Sequence, residues 1–148
     1  LRGICQAKTN KFNAACTSLN MAIDLHPETI NAMNHVGDLL YDIENYARAA
    51  DFYALSLEVQ PTQPSILYRY GYSLWSEDKW SEAIEVLEKY IELMPEDPNG
   101  WNNLGVVLRE KGDVKRALEC YNRALNLKPD LEVVKRNMGT AKNMEMIP

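Results

Sequence analysis

The most restrictive feature of this chain is an internal period of 34 residues. Pro27, Pro61, Pro95 and Pro129 fall at that interval. So do Gly3, Gly37, Gly71, Gly105 and Gly139, and so do Ala15, Ala49, Ala83 and Ala117. Self-similarity at a short fixed period means a repeated unit whose apolar face is covered by its neighbours. It excludes a single core wrapped by unrelated elements.

Each period reads as two helices. Over Glu28–Asp42 the apolar residues Ile30, Met33, Val36 and Leu40 have helical spacing. Over Tyr46–Val59 the residues Tyr46, Ala49, Ala50, Tyr53 and Leu57 fall on one stripe, and Asp42 to Asn45 form the turn. The next period repeats this with Leu67, Tyr70, Gly71 and Leu74, then Trp80, Ala83, Leu87 and Ile91. The following one gives Trp101, Leu104, Gly105 and Leu108, then Val114, Ala117, Tyr121, Ala124 and Leu125. Each proline stops the second helix, because proline cannot continue the hydrogen-bond ladder. A mid-helix glycine such as Gly71 costs about 1 kcal/mol against alanine. That cost, repeated at one place in every unit, predicts that another helix backbone passes close by.

These residues resemble the tetratricopeptide repeat. The resemblance rests on the period, on the run Trp101-x-x-Leu104-Gly105-x-x-Leu108, and on Ala117, Tyr121, Ala124 and Pro129 after it. It covers essentially the whole chain. It implies an all-α, right-handed solenoid of stacked helix-turn-helix units. The first helix of each unit would line a concave groove and the second would face outward. The expected division is one array over residues 1–148. It has a partial repeat at 1–27, repeats at 28–61, 62–95 and 96–129, and a capping helix with its tail at 130–148. Arg2 stands where the repeat usually has an apolar residue, and the first residue is Leu1, so further chain is expected before it. In the last helix, Lys135 and Lys142 occupy the slots of Trp101 and Leu108, which predicts a solvated cap.

Composition narrows the function. The 148 residues carry a formal net charge of −5, which disfavours nucleic-acid binding. No apolar run is long enough to span a bilayer. Cys5, Cys16 and Cys120 lack ligand spacing and read as small buried hydrophobes. With no glycosylation acceptor, they point to a reducing, cytoplasmic setting. No phosphate loop, nucleophile elbow, zinc-binding or dinucleotide spacing occurs. His26 precedes a helix-stopping proline and reads as exposed, and His35 lies one residue before the core Val36. No catalytic residue, metal site or cofactor is expected.

Binding is the remaining class. Placing the first-helix residues by period 3.6 gives rows that face the groove. One row is Asn34, Tyr68, Asn102 and Arg136; another is Asp38, Tyr72, Val106 and Thr140; a third is His35, Arg69, Asn103 and Asn137; a fourth is Tyr41, Trp75, Arg109 and Asn143. Tyr68, Tyr72 and Trp75 share one stripe although Tyr70 and Leu74 already fill that helix's core face. Aromatics left over after the core is assigned mark either a binding surface, with Tyr41 beside them, or packing between helices. The amides of Asn34, Asn102, Asn103 and Asn137 can donate to and accept from a peptide backbone. Asn103 and Asn137, one period apart, resemble the asparagine ladder of peptide-gripping members of the family. The two-carboxylate clamp of chaperone-binding members is missing, because Asn34, Asp38, Arg69, Asn99 and Asn103 hold its places. Residues 1–98 carry net −8 and residues 99–148 carry +3, so a partner would be acidic near Arg109 and Arg136.

The expected function is therefore a non-catalytic module that holds a peptide or helix of a partner protein in its concave groove. The alternatives are a self-assembling scaffold, or the interaction domain of a larger enzyme or assembly protein.

Overall fold

The computed structural model describes residues 28–146. Seven helices occupy these residues, with no strand among them: α1 (Glu28–Asp42), α2 (Tyr46–Val59), α3 (Pro64–Ser76), α4 (Trp80–Leu93), α5 (Pro98–Lys111), α6 (Val114–Leu127) and α7 (Glu132–Glu145). The expectations for the partial first repeat, Cys5, Cys16 and His26 lie outside the described residues. The chain divides into two compact units, Leu1–Pro61 and Thr62–Pro148.

Helix limits follow from local chemistry. Pro64 and Pro98 open α3 and α5 at positions where a missing N–H is harmless. Asp97 caps α5 by accepting from the Asn99 backbone N–H at 3.0 Å, and Asp113 caps α6 by accepting from that of Arg116 at 3.2 Å. Pro61, Pro95 and Pro129 follow the ends of α2, α4 and α6. The turns repeat as well. Glu44, Asp78 and Gly112, one period apart, all adopt left-handed backbone, with φ of 61°, 58° and 100°. In each turn the following N–H closes back on the first helix: Asn45 to the Leu40 carbonyl at 2.8 Å, Lys79 to Leu74 at 2.9 Å, and Asp113 to Leu108 at 2.9 Å.

In the first unit α1 packs on α2, with Ile30 and Met33 buried on the first helix and Ala49, Phe52 and Tyr53 on the second. In the second, α3 packs on α4, α4 on α5, α5 on α6 and α6 on α7. The first helices α3, α5 and α7 also touch in sequence and so form a row. This is an all-α solenoid of helix pairs. Ala49, Ala83 and Ala117 are wholly buried, and Cys120 is buried as expected. The core is wider than one stripe per helix. Ile66, Ile84, Val86, Tyr90 and Val107 are buried too, because a middle helix must cover both its hairpin partner and the next repeat. Tyr70, assigned to the core face of α3, is only half-buried, and Leu67 and Leu74 fill that face. Helix α7 buries Val134 and Ala141, while Lys135 and Lys142 stand exposed.

One expectation needs correction. The glycine column does not admit a neighbouring helix backbone. At Gly37, Gly71 and Gly105 it seats a side chain of the hairpin partner, and at Gly139 nothing lies within 4 Å. A Cβ on Gly37 would lie 2.7 Å from Cε1 of Tyr53, and one on Gly105 would lie 2.6 Å from Cε1 of Tyr121. On Gly71 it would lie 2.7 Å from Cδ2 of Leu87. Those three partners are themselves one period apart.

Candidate functional site

The second unit brings side chains of α3, α4 and α5 to one cleft. Gly71, Tyr72 and Trp75 come from α3, Leu87 from α4, and Asn103, Val106 and Val107 from α5. They line a half-open space of about 140 Å³. Tyr72 and Trp75, one helical turn apart, meet edge to face with ring centroids 5.2 Å apart, a favourable aromatic geometry. Both rings are half-buried, so neither is spent wholly on the core.

Toward the start of α3, the Tyr68 ring packs edge to face on Tyr90 at 5.2 Å. The Tyr90 hydroxyl in turn donates to Asp97 at 2.5 Å. Burial pushes both phenols upward in pKa; for Tyr90 the bond to Asp97 adds to the rise. For Tyr68 a hydrogen bond with the Asn103 side chain works the other way. An open hollow beside these groups is bounded by Ser65, Tyr68, Arg69, Tyr90, Asp97 and Asn99. The aromatic stripe is thus two things at once. Tyr68 leans on the core tyrosine, while Tyr72 and Trp75 wall a cleft.

Two of the asparagines bond to each other. Nδ2 of Asn137 on α7 donates to Oδ1 of Asn102 on α5 at 3.0 Å. Asn102 is buried, and this bond provides for its amide oxygen. Asn103 is left to Tyr68 and the cleft. Arg109 has only 15% of its side chain exposed and lies 3.4 Å from the carboxylate of its neighbour Glu110. Arg136 is exposed. In the first unit Asn34 is half-buried on α1, Asp38 accepts from the Tyr53 hydroxyl at 2.7 Å, and Tyr41 meets Tyr46 edge to face at 5.4 Å. Asp38 is therefore engaged inside its own hairpin.

Val106 stands in a groove-facing row of the sequence reading, whereas Leu87 and Val107 stand in none. The signal was present for Leu87. Its column reads Tyr53, Leu87, Tyr121, and the smaller residue marks the place where space opens. Among the described residues no cluster of His, Cys, Asp and Glu could hold a metal ion, and no helix is long and apolar enough to cross a membrane.

The same architecture recurs in solved structures. The Sgt2 TPR domain from Aspergillus fumigatus is 22% identical over 80% of this chain and 79% of its own, with a TM-score of 0.69. A MamA fragment from Desulfovibrio magneticus RS-1 is 20% identical over 97% of this chain and 88% of its own, with a TM-score of 0.68. The first TPR of Spaghetti (RPAP3), solved bound to the HSP90 peptide SRMEEVD, is 14% identical over 80% and 94%, with a TM-score of 0.73. At these identities the likeness establishes fold alone. No curated protein matches in sequence. Tetratricopeptide repeat signatures match residues 3–65, 66–97 and 98–131 in succession. With the glycine column, the left-handed turns and the row of first helices all keeping one period, the chain belongs to the tetratricopeptide repeat family.

Proposed function

We propose that the chain is a non-catalytic interaction module that holds a segment of a partner protein against its row of first helices. The observation that carries this reading is the cleft at Tyr72, Trp75, Asn103 and Val106. There, aromatic, amide and aliphatic groups converge outside the filled core. Pockets with an apolar wall and a few placed polar groups are the usual form of a specific site. A similar fold, the first TPR of Spaghetti, carries a peptide in its solved structure, which supports the same use here.

In this reading Tyr68, Tyr72 and Trp75 anchor apolar groups, Asn103 meets the partner's backbone, and Arg69, Arg109 and Arg136 set charge preference. Asn102 and Asn137 act as a bonded pair between α5 and α7, and Asn34, Asp38 and Tyr41 offer contacts on the first unit. The repeats would divide at 61/62, 95/96 and 129/130, in one array. An acidic chaperone tail is not the partner we propose, since Asp38 stands where such a tail needs a cation.

The test is affinity capture from a lysate of the source organism, comparing the natural chain with a Tyr68→Ala, Tyr72→Ala, Trp75→Ala variant matched for helicity by circular dichroism. Buried aromatic anchors are worth about 2 kcal/mol or more each, so specific partners should fall more than tenfold. Partners that persist on the variant, or recovery of this chain alone, would place the interaction elsewhere and favour self-assembly.

A further inference from the structure

We infer that the cleft at Gly71 is a socket for a phenyl ring, so that the partner segment inserts a phenylalanine side chain between Tyr72, Trp75 and Val106. This rests on the interaction reading above and narrows it to one kind of occupant.

Three copies of one position differ. In two hairpins a tyrosine ring covers the glycine of the first helix, Tyr53 over Gly37 and Tyr121 over Gly105. In the middle hairpin Leu87 takes that place. Its Cδ2 and Cγ sit 2.7 and 2.8 Å from the Cβ position of Gly71, as close as the tyrosine rings come. Leucine ends there, where a ring continues outward. The cleft borders this place, since Leu87 and Gly71 are both among its lining residues. Its volume of about 140 Å³ is close to that of an apolar cavity, about 150 Å³, that binds benzene.

The lining selects further. None of the seven residues around the cleft carries a charge, so a charged occupant would lose its hydration without gaining a counter-ion. The two aromatic walls favour a ring, which can pack edge to face at centroid distances of about 4.5–7 Å. They also favour phenyl over phenol. The Tyr53 hydroxyl donates to the Asp38 carboxylate, whereas the lining here holds no carboxylate, since that register position is Tyr72 in the middle hairpin and Val106 in the next. Asn103, in the wall beside Val106, can serve the backbone of the segment that brings the ring.

The test uses N-acetyl-L-phenylalanine methylamide as the probe, with its tyrosine and leucine counterparts, titrated into the chain and followed by NMR. The phenyl probe should shift the methyl signals of Leu87, Val106 and Val107 and the Trp75 indole signal saturably, in the millimolar range. The two counterparts should bind several-fold more weakly. Leu87→Phe should plug the socket from inside and weaken the probe at least tenfold, with helicity kept, because the ring-over-glycine arrangement already exists at Gly37 and Gly105. Leu87→Tyr supplies a second plug if the first variant does not fold. Absence of a saturable shift overturns the socket, as does equal binding by the leucine counterpart or by a folded plugged variant. Lysate partners that are lost on the aromatic triple variant but kept by Leu87→Phe would overturn the socket and leave the interaction reading standing. Partners kept by both variants would overturn the two together.

Discussion

Two tyrosines at equivalent positions have opposite hydrogen-bond fates. Both Tyr53 and Tyr121 are wholly buried over a glycine. The Tyr53 hydroxyl donates to Asp38 at 2.7 Å, whereas that of Tyr121 has no partner among the described residues. The register explains the difference, since the position of Asp38 is held by Val106 two repeats later. A buried hydroxyl without a partner forfeits its hydration for nothing, and a satisfied one contributes about 1 kcal/mol net. Tyr53→Phe should therefore destabilise the fold by about 1 kcal/mol. Tyr121→Phe should be neutral or stabilising by up to about 1 kcal/mol. Urea unfolding of the two variants side by side checks this. Equal losses would mean that the Tyr121 hydroxyl is bonded after all.

At the scale of the helical hairpin, the repeated turn and the repeated glycine make predictions of opposite sign. Glu44 and Asp78 occupy left-handed backbone that costs a residue with a Cβ about 1–2 kcal/mol, and Gly112 occupies the same place without strain. Glu44→Gly and Asp78→Gly should each raise stability by about 0.5–1 kcal/mol, after the greater unfolded-state freedom of glycine is subtracted. A rise in urea midpoint at constant slope is the expected result; a fall would show that the carboxylates hold the turns. For the helix interiors, Gly139→Ala should gain about 1 kcal/mol, because nothing lies within 4 Å of its Cβ position. Gly105→Ala should lose about 1–3 kcal/mol, because its Cβ would sit 2.6 Å from Tyr121. Most of this level could be read in the sequence. The period set the pairing of helices, and the apolar spacing over Glu28–Asp42 and Tyr46–Val59 marked out two of them. What fills the space above each glycine could not be read, because a column of identical residues says that something approaches closely and not which atoms do. The bond between Asn102 and Asn137 was hidden for a related reason. They are 35 residues apart, one more than the period, and the pairing depends on how α5 and α7 are staggered. The site was legible as a helix stripe, Tyr68 to Trp75, but the space that makes it a cleft comes from the smaller Leu87 on another helix.

At the scale of the whole molecule, the buried phenols and the thiol that are shifted among the described residues all move one way. Burial pushes the Cys120 thiol up from 9.0 to about 12 and the Tyr121 phenol up from 10.0 to about 12, and it raises Tyr68 and Tyr90 as well. Each group is neutral when protonated, so the folded chain holds its proton at a pH where the unfolded chain has released it. The native state then binds more protons than the unfolded state, and unfolding free energy falls as pH rises. The contribution is fully present below pH 9, where both states are protonated, and is lost as pH climbs from about 9 to about 12. Chemical denaturation across that range should show a plateau near neutrality and a steepening decline above it. Cys120→Ala should delay the onset toward pH 10, the unfolded value of tyrosine. The competing cause is general repulsion in a chain already at −5. Salt separates the two. Repulsion between surface charges is screened, with a Debye length of about 3 Å at molar salt, whereas desolvation of a buried thiol or phenol is not. An alkaline decline that survives molar sodium chloride and is delayed by Cys120→Ala assigns the loss to α6. A decline abolished by salt would assign it to the charge of the whole chain and would mean that Cys120 and Tyr121 titrate in contact with water.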